Sequence, residues 1–188
     1  VLAPDGYALN ETTCSFTVDE DGHVSGDIVL RDDFTRFTLK KVGEHNEPLA
    51  GVAFSLKDER NAVVATVLTD ADGIAMFEKI PYGSYTVVES KPLPGYLPSG
   101  VQVSLTLDGT FVNPTEPIAV IPNERMKLTF RKVDTAGNPL AGISFTLIDA
   151  QSGTVAAHAV SDEKGDFEIT GFTVGAWILR EDEAPEGF

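Results

Sequence analysis

The chain repeats itself, and the length of the period decides what it can be. Phe37-Thr-Leu-Lys-Lys41-Val and Pro48-Leu-Ala-Gly51-Val-Ala-Phe-Ser-Leu56 return as Leu128-Thr-Phe-Arg-Lys132-Val and Pro139-Leu-Ala-Gly142-Ile-Ser-Phe-Thr-Leu147, an offset of 91 residues (41 to 132). Gly83-Ser-Tyr85-Thr-Val87-Val-Glu89 returns as Gly175-Ala-Trp177-Ile-Leu179-Arg-Glu181, an offset of 92 (83 to 175), so one residue is inserted between the two blocks. A period of this size is a domain rather than a solenoid turn. Pro94-Gly-Tyr96 matches Asp5-Gly-Tyr7 near the start and Glu186-Gly-Phe188 at the end. This phase makes residues 1–35 the closing strands of a preceding repeat, 36–125 a complete repeat, and 126–188 the opening part of a third that lacks its closing strands.

Within the complete repeat, runs of alternating Val, Ile, Phe, Tyr, Thr and Leu are punctuated by Gly, Pro, Asn and Asp, without a long 3.6-residue period. Val63–Leu68, Ala75–Phe77 and Val101–Leu107 read as strands, with turns at Asp70-Ala-Asp-Gly73 and Pro81-Tyr-Gly83. Some seven short strands per repeat predict an all-β chain of tandem antiparallel sandwiches with immunoglobulin-like architecture. An apolar content of 42% is enough for real cores. The 14 Lys and Arg against 29 Asp and Glu would repel a phosphate backbone or an anionic bilayer, so neither nucleic acid nor membrane is expected as a partner of this fragment. The single cysteine, Cys14, excludes an intrachain disulfide, so stability must come from the core or from another covalent link. No apolar run approaches the roughly 20 residues that span a bilayer; an export signal or wall anchor is expected outside this stretch.

Alternate residues of a strand share a face. Phe37, Leu39 and Lys41 therefore point one way, and Leu128, Phe130 and Lys132 do the same in the next repeat, so each repeat aims one lysine at its own core. The same parity groups Tyr85, Val87 and Glu89, and then Trp177, Leu179 and Glu181. Burial of either charge costs several kcal/mol, and it pushes a lysine pKa down and a glutamate pKa up. A neutral lysine is a nucleophile, and a protonated glutamate can donate a hydrogen bond to a carbonyl under attack. Parity alone leaves two other readings open: a buried Lys–Glu ion pair, or strand-end lysines reaching out to water.

Leu39-Lys-Lys41-Val, Pro48-Leu-Ala-Gly51-Val-Ala-Phe, Gly83-Ser-Tyr85-Thr-Val-Val-Glu89 and Ile121-Pro-Asn123-Glu resemble the B-type (CnaB, prealbumin-like) repeats of Gram-positive collagen adhesins and pilin shafts. The resemblance implies a prealbumin-like sandwich. It also implies an autocatalytic isopeptide bond, with Lys41 as nucleophile, Asn123 as electrophile and Glu89 as the proton-handling acid of a Tyr-x-x-x-Glu box. In the third repeat it implies Lys132 and Glu181, with Trp177 in place of the box tyrosine and an acceptor beyond Phe188. In the first, counting back nine residues from Lys41, as Asn123 precedes Lys132, gives Asp32 as an acceptor that would release water; Asp33 is the alternative if the linker contains a gap.

The function this implies is a structural stalk on the bacterial cell surface, not an enzyme and without cofactor or metal, whose partners are neighbouring repeats of the same protein. The alternative is an adhesin module that binds a host matrix protein or glycan through loops such as Val112 to Pro117. The incomplete ends could also associate head to tail between copies, and a Lys132–Asp32 link is then chemically possible; an arbitrary excision with inert ends is the other account. Cys14, seven residues after Tyr7 as Val103 is after Tyr96, reads as an apolar strand position rather than a reactive thiol. Asp70-Ala-Asp-Gly73 is similar to the start of a calcium loop but lacks a third acidic ligand, and a turn is expected. His23, His45 and His158 have no ligand spacing.

Overall fold

The computed structural model describes residues 2–10, 13–25 and 31–182. Among them are fourteen strands: β1 Thr17–Val18, β2 Val24–Ser25, β3 Arg36–Val42, β4 Ala53–Asp58, β5 Val63–Leu68, β6 Ile74–Glu78, β7 Gly83–Lys91, β8 Gln102–Leu107, β9 Val120–Pro122, β10 Lys127–Arg131, β11 Ser144–Asp149, β12 Val155–Val160, β13 Asp166–Thr170 and β14 Trp177–Glu181. They form two compact units, one of Val1–Lys91 with Ser99–Pro122, the other of Pro92–Pro98 with Asn123–Phe188.

In the first unit β6-β3-β9 form one sheet and β5-β4-β7-β8 the other, while β1 and β2 make a small separate hairpin. The inward residues of both larger sheets are apolar and buried: Phe37 and Leu39 of β3, Phe77 of β6, Phe54 and Leu56 of β4, and Val87 of β7. Phe37 faces Phe77 across β3 and β6, and their rings stack with centroids 5.1 Å apart. The strand order differs from a purely antiparallel sandwich at one place, because β9 runs parallel to β3. First and last strands of the repeat are thereby neighbours, and this is what a bond between them requires.

The second unit repeats the plan with β10-β13 and β12-β11-β14. Phe145 of β11 stacks on Phe167 of β13 at 4.3 Å, joining the two sheets through a core of Ile143, Phe145, Leu147, Phe167, Ile169 and Phe172. Even the irregularities recur: β4 shifts register at Leu56/Lys57 against β5, and β11 shifts at Leu147/Ile148 against β12.

Aspartates build the turns. The Asp70 carboxylate accepts from the amides of Asp72 and Ile74, and Asp162 does the same for Lys164 and Asp166. Gly73 and Gly165 close these turns at φ 75° and 77°, a region that favours glycine. Asp70-Ala-Asp-Gly73 is thus a hairpin turn whose first carboxylate is taken up by the backbone. Cys14 differs from expectation: it is exposed and outside any strand. Its sequence counterpart Val103 is held on β8 by pairing with Val87 of β7, and among the described residues no strand flanks Cys14 in this way.

One buried hydroxyl per unit fastens the Pro-Leu-Ala-Gly loop. Thr69 donates to the Leu49 carbonyl at 2.6 Å and accepts from the Val52 amide at 2.9 Å, while Ser161 donates to Leu140 at 2.7 Å and accepts from Ile143 at 3.0 Å. Thr69→Val keeps the shape but orphans two buried backbone groups, so denaturant unfolding should show a loss of about 2 kcal/mol, whereas Thr69→Ser, which copies Ser161, should stay within about 1 kcal/mol of the parent.

Candidate functional site

Lys41 lies near the end of β3 with its side chain fully buried, and its Nζ is 3.0 Å from Oε2 of Glu89, whose side chain is also fully buried. The inward parity read from the sequence places both there. Phe37 and Leu39 precede Lys41 on the same face of β3, and Tyr85 and Val87 precede Glu89 on β7. Burial pushes the Lys41 ammonium below its ordinary pKa, and the hydrogen bond and attraction from Glu89 oppose that shift. Close pairing of the two groups offsets part of the desolvation penalty that burial imposes.

Glu89 sits beside an irregularity. Phe54 pairs with Glu89 but Ala53 pairs with Lys91, so Ser90 is an extra residue on β7. Bulges of this kind re-aim side chains at strand ends. Lys41 is held by its backbone: its amide donates to the Gly73 carbonyl at 2.7 Å, and its carbonyl accepts from Leu49 at 3.1 Å. A Cβ on Gly73 would collide with that carbonyl oxygen. Gly165 stands in the same relation to Lys132. The sequence pattern marks Gly73 as a turn residue but does not show that it clamps the lysine; the recurrence of Asp72-Gly73 as Lys164-Gly165 is the available signal.

Asn123 is the residue after β9. In the parallel pairing Ile121 is in register with Lys41 and Pro122 with Val42. Ile121 and Asn123 are 1% and 2% exposed whereas Val120 and Pro122 face outward, so strand alternation turns Asn123 inward.

In the second unit Lys132 Nζ donates to Glu181 Oε2 at 2.8 Å, but these side chains are 26% and 30% exposed. The expected aim into the core is only half realised. β10 pairs with β13 alone among the described residues, where β3 has β6 on one side and β9 on the other; Leu128 on the same face is accordingly exposed. Trp177 keeps more than the aromatic slot. Its Nε1 donates to Thr173 at 2.8 Å, as the Tyr85 hydroxyl donates to Pro81 at 2.9 Å, each bonding to the carbonyl four residues earlier.

Asp32 and Asp33 are both exposed. The Asp33 carbonyl accepts from Ala8 as the Glu124 carbonyl accepts from Leu97, so Asp32 stands one residue before this bond as Asn123 does. In the 112–117 loop, Asn113 accepts from the Arg36 amide and donates to the Phe34 carbonyl, which ties the loop to the start of β3.

Gly73→Ala forces both a left-handed backbone and a collision with Lys41, and the strain of order 1–3 kcal/mol should move Lys41 relative to Glu89. The expected result is a lower unfolding midpoint with weakened amide protection at Lys41 and Leu49; unchanged protection there would remove the clamp.

Comparison with known proteins gives a consistent answer. Residues 35–115 and 126–188 each match the model of the SpaA prealbumin-like fold domain. The chain is 27% identical over 161 residues to serine-aspartate repeat-containing protein D of Staphylococcus aureus and 26% identical over 160 residues to serine-aspartate repeat-containing protein F of Staphylococcus epidermidis, covering 74% of this chain in both cases. It spans only 12% and 10% of the length of those relatives. Among solved structures, the Bacillus anthracis TIE protein is 28% identical, with a TM-score of 0.48 over 88% of this chain and 31% of that one. With two matches in series that together take in most of its length, the chain belongs to the SpaA prealbumin-like fold domain family.

Proposed function

We propose that this chain is a load-bearing spacer from a Gram-positive cell-surface adhesin or pilus protein, in which the middle repeat is locked by an isopeptide bond between Lys41 and Asn123. The observation that carries the reading is the fully buried Lys41–Glu89 pair at 3.0 Å, on the strand that β9 flanks just before Asn123.

The chemistry follows from burial. Proton transfer from Nζ to Glu89 yields a neutral amine and a carboxylic acid, the less costly pair in an apolar core. The amine attacks Cγ of Asn123 while the acid hydrogen-bonds to the carboxamide oxygen, where negative charge develops. The Nζ–Cγ bond forms and the Cγ–Nδ2 bond breaks; one proton moves from Nζ to Nδ2 by way of Glu89, and ammonia leaves. The reaction happens once and has no turnover, so the residues act as a self-processing structural device and not as an enzyme. A link between first and last strands routes tension through a covalent path, and by analogy with disulfides closure of a loop of roughly 80 residues stabilises by about 4–5 kcal/mol.

Lys132 and Glu181 are assigned the same role toward an acceptor strand lying beside β10. A second copy joined head to tail would offer Asp32, with water as the leaving group. No helix of the described residues is long and apolar enough to cross a membrane; on this reading attachment to the cell surface belongs to other parts of the protein.

Intact mass tests the central bond. The parent should be lighter than its calculated mass by one ammonia, and Lys41→Ala, Asn123→Ala and Glu89→Ala should each return to full mass; a parent at full mass, or a Glu89→Ala chain that links as completely as the parent, overturns the assignment. For the intermolecular link, concentrated protein on a denaturing gel should show oligomers that Lys132→Ala abolishes, and a gel with monomer alone excludes that link without touching the first.

A further inference from the structure

The Gly-aromatic turns that set the phase of the repeat have no part in the cross-link, yet their geometry is reproduced closely in the two units. In the first unit the turn Asp5-Gly6-Tyr7 is closed by the Tyr7 amide donating to Pro4 at 3.0 Å. It then pairs with residues just ahead of β3: Thr35 donates to the Gly6 carbonyl at 3.0 Å, Ala8 donates to the Asp33 carbonyl at 2.8 Å, and Tyr7 forms an antiparallel bridge with Phe34. The two rings stack at 4.9 Å.

In the second unit Pro94-Gly95-Tyr96 is closed by Tyr96 donating to Leu93 at 3.2 Å. It pairs with residues just ahead of β10: Met126 donates to Gly95 at 2.8 Å, Leu97 donates to Glu124 at 2.8 Å, and Tyr96 bridges Arg125. The Arg125 guanidinium lies 5.3 Å from the centre of the Tyr96 ring. Gly6 and Gly95 have φ of 82° and 83°. Donors, acceptors, bridge and ring contact correspond one to one, although Phe34 and Arg125 have nothing in common except a flat group to set against an aromatic ring.

In sequence, Pro94-Gly-Tyr96 lies in the β7–β8 connection of the middle repeat. By packing, Pro92–Pro98 belongs to the unit that contains β10 to β14, whereas β7 and β8 belong to the other. The turn therefore pairs with the closing residues of its own repeat but belongs to the compact unit of the next. The first unit shows how fully such a seat can hold it: the Tyr82 amide donates to the Asp5 carboxylate at 2.6 Å, the Tyr82 hydroxyl lies 2.7 Å from the Ala3 carbonyl, and Ala3 donates to Gly109 at 2.9 Å.

We propose that the x-Gly-aromatic turn in the β7–β8 connection is a docking plug: it pairs with the last residues of its own repeat, and the seat so formed is completed by the repeat that follows, as Tyr82 and Gly109 complete it for the turn at Gly6. The occupant of the seat is that turn, supplied in cis by the preceding repeat. The chain consequently passes from one unit to the other three times, at 91/92, 98/99 and 122/123, instead of once through a single linker. The stability of each repeat then depends on its predecessor. The third copy of the turn, Glu186-Gly-Phe188, lies outside the described residues.

The test uses the full chain and hydrogen exchange read by mass spectrometry. Gly95→Val puts a β-branched residue in a left-handed conformation, so exchange should accelerate roughly tenfold or more in β10 and β13 while β3, β6, β7 and β8 keep their parent rates. Gly100→Ala is the control in the same connection, since a Cβ there meets nothing within 4 Å, and it should leave every strand unchanged. Gly6→Val should give the mirror result, acceleration in β3 and β6 with β10 and β13 unaffected. The proposal is overturned if Gly95→Val loosens β7 and β8 and spares β10, as a turn serving its own repeat would, or if no strand responds.

Discussion

Two opposite charges buried in an apolar sandwich set the terms for everything else in the first unit. Placing Lys41 and Glu89 inside costs free energy that only close pairing, proton transfer or covalent capture can offset. The protein meets this by over-determining both ends. The Lys41 backbone is clamped between Gly73 and Leu49, and Glu89 is turned inward at a strand irregularity. Around them Phe37, Leu39, Phe54, Phe77 and Val87 exclude water and keep the local dielectric low, so a group that would be an inert ammonium in solution is held below its ordinary pKa.

The second unit is a comparison supplied by the molecule itself. It has the same lysine, the same glutamate at a similar distance, the same glycine clamp and the same hydrogen bond from the box aromatic. What it lacks among the described residues is a strand on the far side of β10. The pair is consequently partly exposed, at 26% and 30%. The same side chains are thus sealed only where a strand flanks the lysine strand on both sides.

Repeats joined by a lone flexible linker would behave as independent beads. Here the boundary of the compact units does not coincide with the boundary of the sequence repeats, because a loop of one is incorporated into the next. The proposed cross-link within a repeat and the proposed plug at its border would be complementary: the first would guard a repeat against unravelling under load, and the second would tie its stability to that of its neighbour.

The sequence by itself determined the repeat and its phase, the all-β class, the inward aim of Lys41 and Glu89, and the recurrence of the Gly-aromatic turn. These are legible because strand alternation is a property of covalent geometry, so residues two apart share a face whatever surrounds them. Only the tertiary structure decided what that face meets. Lys41 and Lys132 have the same parity and nearly the same neighbours in sequence, yet one is sealed and the other half open, because sealing is done by a strand some 80 residues away. Cys14 fits the pattern of Val103 but is exposed, for want of a described strand beside it. The clamp of Gly73 on Lys41 and the assignment of Pro94-Gly-Tyr96 to the following unit arise in the same way, from approaches between distant segments that no local periodicity encodes.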